Sequence, residues 1–255
     1  MYIGIDIGGT NIRLASASNL DNPIFENRKQ FRNSHSFDKN FQNILSYIDS
    51  LSSKVDGISI SIAGTTDDDK SMVIEGNNIP EFSGKPTKEL LIDRYKCKVM
   101  LDNDGIVMAR GEALYCEGKN IDFAYLIWGT GIGGASVKYK NNKPVITKFE
   151  RRRDTNLATW EDVCGGKSIE KFYKKPAETL DENEWREVMK HFLQNISEFI
   201  SIVKPKMIIF GGGIAVGQSS RIARISDQLS TLTIKVTSLA NDAGLFGAMA
   251  SLKKS

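Results

Sequence analysis

The period of apolar and polar residues changes along this chain, and the changes mark out its elements. Alternation through Ile3, Ile5 and Ile7 and again from Ile12 to Ser18, interrupted at Gly8-Gly-Thr10, predicts a β-hairpin over the first eighteen residues. Phe41, Ile44, Leu45 and Ile48 then recur at helical spacing, which predicts a helix within Phe37 to Ser53. Gly57 to Ala63 alternates as a strand. Thr65 to Pro86 is rich in Gly, Asn, Asp and Pro and predicts a long irregular segment, of a length that in compact domains is often functional. A helix over Lys88 to Tyr95, a short strand over Lys98 to Leu101 and a helix over Gly105 to Glu117 complete the first half. The last of these is entered through Asp102-Asn-Asp104.

The second half repeats the plan. A hairpin over 123 to 140 turns at Gly129-Thr-Gly-Ile-Gly-Gly134, and a polar stretch with an arginine run at 151 to 153 follows it. Helices are predicted near 160 to 173 and 182 to 203, then a strand over Lys206 to Phe210 that ends in Gly211-Gly-Gly213. A strand over Thr231 to Val236 and a helix over Gly244 to Leu252 close the chain. Strands alternating with helices, with a hairpin opening each half, imply an α/β protein of mixed sheets flanked by helices in two related lobes.

Composition narrows the function classes. With 255 residues, 40% of them hydrophobic and 25% charged, the chain has the make-up of a globular protein and not of a disordered or fibrous one. A net charge of +3, with basic residues scattered and no aromatics interleaved, gives no footprint for nucleic acid. Neither a basic-then-apolar leader nor an apolar run of about 18 residues stands out, so no membrane segment is expected and the expected compartment is cytoplasmic. Cys97, Cys116 and Cys164 lie too far apart for a disulfide framework or a metal-binding pair.

The glycine turns carry the chemistry. Gly129 to Gly134 satisfies G-x-G-x-x-G, but a strand follows it where a dinucleotide site needs a helix. Gly165-Gly-Lys-Ser168 resembles the end of a P-loop, yet Glu161 occupies the place of the required earlier glycine. What remains is a turn between two strands, stripped of side chains so that backbone N–H groups can approach an anion, with Thr10 and Thr130 as added hydroxyl donors. Either turn alone could be a tight hairpin; two at equivalent positions, with a third glycine cluster after a later strand, point to a phosphorylated ligand. Asp6 lies in an otherwise apolar strand, a costly place for a carboxylate unless something positive approaches it. Asp104, at a strand end and a helix start, can be either an N-cap or a base that takes a hydroxyl proton.

Gly4-Ile-Asp-Ile-Gly-Gly-Thr10, Ser61-Ile-Ala-Gly64, Leu101-Asp-Asn-Asp104, Gly129-Thr-Gly-Ile-Gly-Gly134, Phe210-Gly-Gly-Gly213 and Ala243-Gly-Leu-Phe-Gly-Ala248 occur in that order over nearly the whole chain. In this set the chain resembles the ROK family of sugar kinases, a branch of the actin and hexokinase superfamily. The resemblance implies a two-lobed, duplicated RNase H-like fold with a cleft between lobes. Residues 1–105 with 242–255 would form a lobe bearing the sugar site and the first phosphate loop. Residues 106–241 would form the lobe bearing the second phosphate loop and the adenosine site.

The same resemblance implies ATP-dependent phosphorylation of the 6-hydroxyl of a hexose or N-acetylhexosamine, with Asp104 as general base. Gly64, Asn78, Asn103, Asp104, Glu150, Arg153 and Glu161 would contact the sugar. Asp6, Gly8, Gly9, Thr10, Asn11, Gly129, Thr130, Gly131 and Gly133 would hold the ATP phosphates. Gly211, Gly212 and Gly213 would lie against the adenosine, and Asp6 would hold Mg2+ directly or through water. A homodimer is also implied.

Two departures from the family pattern stand out. Arg153 falls where a sugar-contacting histidine is expected, the chain's two histidines being His35 and His191, and an arginine there would favour an acidic or acetamido-bearing sugar. The cysteine-rich zinc loop is missing, so no structural zinc is expected. Regulators of the family carry a helix-turn-helix segment ahead of the first hairpin, whereas here the hairpin opens at Tyr2, which argues against a DNA partner. A non-catalytic sugar sensor and a kinase of a non-sugar hydroxyl acceptor are the alternative functions.

Overall fold

The computed structural model describes residues 1–51, 54–116, 118–150, 155–229 and 232–253. In chain order the first half contains β1 (Tyr2–Ile7), β2 (Asn11–Ala17), β3 (Glu26–Arg32), α1 (Phe37–Asp49), β4 (Gly57–Ile62), β5 (Thr65–Thr66) and β6 (Val73–Glu75). There follow α2 (Thr87–Tyr95), β7 (Lys98–Asn103) and α3 (Asp104–Tyr115). The second half contains β8 (Phe123–Trp128), β9 (Ile132–Lys140), β10 (Lys143–Lys148), α4 (Leu157–Cys164), α5 (Gly166–Tyr173) and α6 (Glu182–Val203). It ends with β11 (Met207–Gly211), α7 (Gly213–Gly217), α8 (Ser219–Gln228), β12 (Thr233–Val236) and α9 (Ala243–Leu252).

The chain divides into two compact units, Met1–Gly111 with Asp242–Ser255, and Glu112–Asn241. Each is built on a five-stranded sheet, ordered β3-β2-β1-β4-β7 in the first and β10-β9-β8-β11-β12 in the second. The directions repeat as well: three antiparallel strands joined by hairpins, then two strands parallel to the first. The division falls inside the continuous helix α3, six residues beyond the expected 105/106 boundary, because an unbroken helix leaves no compositional mark of a border.

In the first unit the period of β1 sorts its two faces. Ile3, Ile5 and Ile7 join Ile44, Ile48, Ile58, Ile60, Leu91 and Leu101 in one buried cluster. Gly4 and Asp6 face the other way, toward α9: a side chain on Gly4 would meet Met249 Cε at 3.1 Å, and one on Gly244 would collide with the Asp6 carboxylate. Glycine also lets two helices touch backbone to backbone, since a Cβ on Gly111 would lie 2.8 Å from Gly247 N. The second unit fills its core with rings instead. Trp128 stacks on Phe192 at 4.4 Å between centroids, and Trp160 meets Phe192 edge-on at 5.1 Å.

Several elements differ from the sequence expectation. The polar strands β3 and β10 have no apolar alternation to reveal them; they are exposed edge strands held by ladder hydrogen bonds. The helix expected over 160–173 is two helices broken at Gly165, which has extended backbone and stands where a Cβ would lie 2.7 Å from the Glu161 carbonyl oxygen. The expected irregular stretch from Thr65 to Pro86 carries the small β5–β6 hairpin and buries Val73, Ile79 and Phe82. Helix α8 carries no predicted counterpart. The expected ends at Ser53, Glu117 and Thr231 lie outside the described residues. Among the described residues no helix is long and apolar enough to cross a membrane.

Candidate active site

In the first unit a three-residue turn, Gly8 to Thr10, joins β1 to β2, closed by Gly8 N–H donating to Asn11 O at 3.0 Å. Asn33, just beyond β3, braces it twice: its backbone N–H donates to Thr10 O at 2.8 Å and its Nδ2 to Gly8 O at 3.1 Å. On another side a Cβ at Gly9 would stand 3.0 Å from both Cβ and O of Asn78. The turn is therefore held through its carbonyls and its glycine surface.

Asp6 lies at the base of this turn and is almost fully buried. Ser61 Oγ donates to its Oδ1 at 2.9 Å, and Arg13, its cross-strand partner, places Nη1 3.7 Å from Oδ2. Burial raises the Asp6 pKa, opposed by the Ser61 hydrogen bond and the Arg13 charge. The positive group that a carboxylate in an apolar strand calls for is thus supplied by the hairpin itself. Arg13 is legible in retrospect, because hairpin register sets it opposite Asp6.

The strand end of β7 carries the second feature. Asn103 Nδ2 donates to Gly64 O at 2.7 Å and to Asp104 Oδ1 at 3.0 Å, and Gly105 N–H donates to Asn103 Oδ1 and Asp104 Oδ1 at 3.0 and 2.8 Å. Asp104 opens α3, so the positive end of the helix faces a carboxylate whose Oδ1 is fixed by two donors. The cap position falls to Asn103, whose Oδ1 accepts Gly105 N–H, and not to Asp104, which is the first residue of α3. Gly64 is fixed in turn by β6: a Cβ there would lie 2.8 Å from Val73 Cγ1 and 2.9 Å from Glu75 O.

In the second unit a three-residue turn, Gly129 to Gly131, joins β8 to β9. Its carbonyls are bound from the break between α4 and α5: Gly166 N–H donates to Gly129 O and Lys167 N–H to Thr130 O, each at 2.9 Å. Glu161 Oε2 accepts from Ile132 N–H at 2.5 Å. Glu161, expected at the sugar, is therefore bound to the foot of the second turn. The segment Gly165 to Lys167, discarded as a P-loop, supports that same turn; its signal was the glycine pair, since a Cβ on Gly166 would lie 2.7 Å from Gly129 O.

The three glycines after β11 separate by cause. A Cβ on Gly211 would collide with the Tyr125 hydroxyl, and Gly212 has φ +92° and no room for a Cβ, which would lie 2.5 Å from the Trp128 carbonyl oxygen. Packing gives each a reason to be glycine. Nothing lies within 4 Å of a Cβ built on Gly213 or on Gly133, and Gly213 N is what a Cβ on Gly129 would meet, at 3.9 Å. Glu150 is exposed at the end of the β10 segment, and Arg153 lies outside the described residues.

A sheet of three antiparallel and two parallel strands, present twice and with a glycine turn after the first strand each time, defines the actin/hexokinase-like fold. Residues 2–148 match the model of the ROK family, and the chain belongs to that family. Among solved structures it is similar to a ROK family glucokinase from Streptomyces griseus in complex with glucose and AMPPNP, with a TM-score of 0.78, 19% identity and 97% of each chain covered. It is also similar to a ROK family transcriptional regulator, a homologue of the E. coli MLC protein, with a TM-score of 0.71 and 14% identity over 98% of this chain and 76% of that one. Among characterised relatives, the N-acetyl-D-glucosamine kinase of Citrobacter koseri is 30% identical over 156 residues, which span 57% of this chain and 48% of that enzyme.

Proposed function

We propose that the protein is an ATP-dependent sugar kinase that phosphorylates the 6-hydroxyl of a hexose or N-acetylhexosamine. The observation that carries this reading is the Asn103–Asp104 pair, a carboxylate fixed by an amide and a backbone N–H at a helix start, in the same unit as a glycine turn stripped of side chains. Asp104 accepts the proton of the acceptor hydroxyl as its oxygen attacks, a role that needs geometry before it needs an unusual pKa. Asn103 orients both that carboxylate and the sugar, with Gly64 and Asn78 beside it. Gly8 to Asn11 and Gly129 to Gly131 receive the phosphates through backbone N–H groups.

When bound, magnesium supplies charge neutralisation at the transferring phosphoryl group. Asp6 fits that ion through a water, its oxygens already engaged by Ser61 and Arg13. Gly213 and Gly133 border open space and are assigned to the nucleotide, while Gly211 and Gly212 contribute backbone only. Glu150 and Arg153 remain assigned to the sugar, Arg153 in place of histidine. Similarity to the glucokinase and to the N-acetylglucosamine kinase supports the reaction class.

The test is a coupled ADP-release assay over glucose, mannose, N-acetylglucosamine and N-acetylmannosamine, with Asp104→Ala as control. Turnover of at least one sugar that the variant loses is expected. Sugar binding by thermal shift without any turnover would overturn the kinase reading in favour of a sensor.

A further inference from the structure

The sequence singled out Thr65 to Pro86 only as a long segment, and the fold gives it a particular tether. Asp67 builds a tight turn in it: its Oδ1 accepts Ser71 N–H at 2.7 Å and Met72 N–H at 2.9 Å, its Oδ2 accepts Ser71 Oγ at 2.5 Å, and Lys70 N–H donates to its carbonyl at 3.0 Å. These bonds hold the Asp67 carboxyl below the ordinary range. Lys70 sits at the apex with φ +51°, a backbone conformation that a lysine adopts at some cost. From there its Nζ reaches Asp102 Oδ2 at 2.6 Å.

Asp102 is buried and binds three groups. Its Oδ1 accepts Asn103 N–H at 2.9 Å, and its Oδ2 takes Lys70 and, at 3.4 Å, Arg110 Nη2, whose Nη1 in turn donates to Ser251 Oγ at 2.6 Å. The residue just before the proposed sugar-binding and base pair is therefore the anchor for a surface turn thirty-two residues earlier in the chain. That turn joins β5 to β6, and the same stretch begins at Gly64, whose carbonyl holds Asn103, and ends at Asn78, against Gly9. Lys70 thus ties the turn between β5 and β6 to the strand end whose next residue holds Gly64.

We propose that Lys70 is a positioning residue: by clasping Asp102 it straps the 65–75 hairpin down so that Gly64 and Asn78 meet the acceptor, and it thereby sets acceptor affinity. The inference rests on the kinase reading for its kinetic test but not for its structural one. Lys70 is about two-fifths exposed and fills no core, so Lys70→Met, which keeps the aliphatic stem, leaves the fold intact. Local loosening of the exposed turn between β5 and β6 is the expected result of cutting this tether.

The experiment compares wild type, Lys70→Met, Lys70→Arg, Asp102→Asn and the Lys70→Met/Asp102→Asn double variant. In Lys70→Met the KM for the acceptor sugar rises about tenfold while the KM for ATP stays within twofold, and Lys70→Arg recovers most of the loss. Amide hydrogen exchange over 65–76 speeds up in Lys70→Met with the rest of the chain unchanged. The double variant adds nothing to the worse single one, because both cut the same tether. Equal rises in both KM values, or additive single effects, overturn the proposal. If wild type phosphorylates no sugar, the kinase reading fails by itself, and hydrogen exchange decides the strap: unchanged protection in Lys70→Met sinks it, and local loss confined to 65–76 sustains it.

Discussion

The two units share one strand order and differ in almost everything that fills it. The first packs its sheet with isoleucine and lets glycines of β1, α3 and α9 bring backbones together around a buried carboxylate. The second packs its sheet with tryptophan and phenylalanine, with no acid in the matching strand: Asp6 of β1 is replaced by aliphatic and aromatic residues throughout β8. Their turns differ in the same sense. The first is braced by Asn33, through both its backbone N–H and its side-chain amide, and the second by backbone N–H groups from the break at Gly165 and Gly166 with the Glu161 carboxylate at its foot. One topology thus places a glycine turn twice, while the candidate chemical groups are loaded onto one copy. The first unit holds the candidate base and the candidate metal carboxylate; in the proposed function the second supplies grip.

The largest effect should come from breaking that asymmetry at its centre. Asp104→Asn keeps the donors from Asn103 and Gly105 but cannot take a proton, so kcat for the sugar should fall by about 10²- to 10⁴-fold with acceptor binding retained. Steady-state kinetics with a thermal shift for sugar measures both. A comparable fall in kcat with unchanged substrate affinities, from any single substitution in the second unit, would undo the assignment of chemistry to the first.

Next in size are the turns themselves. Gly166→Ala would press a methyl into the Gly129 carbonyl and toward Thr130 Cα, at 2.7 and 3.2 Å, and both partners are backbone that cannot yield alone. The second turn should shift and the KM for ATP rise on the order of tenfold, which corresponds to about 1.4 kcal/mol. Gly9→Ala meets Asn78 at 3.0 Å, partly through a side-chain atom on a loop. Its effect should be smaller and should fall on the sugar as well as on ATP, because Asn78 is moved. Equal, ATP-confined effects from both would mean that the turns are braced alike.

How much of this was open to the sequence follows from what each feature rests on. The duplicated plan was legible because alternation and glycine turns recur at matching places, and helix α6 was legible because a strongly amphipathic stretch begins at Asp181 with its own capping box. β3 and β10 were not, since their order comes from neighbours and not from their own residues. Asp6, Asn103 and Asp104 stood out as acids and amides at strand ends. Asn33, Lys70 and the role of Glu161 did not, because each acts on a partner at least 23 residues away, through a contact that no local pattern encodes. Gly211 and Gly212 have a further reason to be glycine that the sequence did not show, since a Cβ on either would run into Tyr125 or Trp128.

The buried carboxylate of the first unit should leave a thermodynamic trace that the second unit lacks. Asp6 has a raised pKa because burial outweighs Ser61 and Arg13. The folded state therefore binds its proton more readily than the unfolded state does. Its stabilising influence is complete below the ordinary carboxylate range, near pH 4, and is lost as pH rises through the elevated folded value. Asp6→Asn should consequently raise Tm at pH 7, by about 2–4 °C for each kcal/mol relieved, and the gain should vanish at low pH. ATP-dependent turnover should fall in the same variant. A Tm gain that persists unchanged at pH 4 would show that packing, not charge, explains it.

The smallest expected effect is the sharpest test of which glycines exist for a ligand. Gly133 lies in β9 opposite Ile127, and a Cβ there would meet nothing within 4 Å, unlike its neighbour Gly134, whose Cβ would run into the Tyr125 carbonyl. Gly133→Ala should leave Tm unchanged or raise it by roughly 1–2 °C, since alanine restricts the unfolded chain and fits the strand without strain. If the space beside Gly133 belongs to the nucleotide, the KM for ATP rises while the KM for sugar does not. If the KM for ATP is unchanged as well, Gly133 leaves the nucleotide site and the grip of the second unit contracts to Gly129, Thr130 and Gly131. The turn would then match the first in extent as well as in topology.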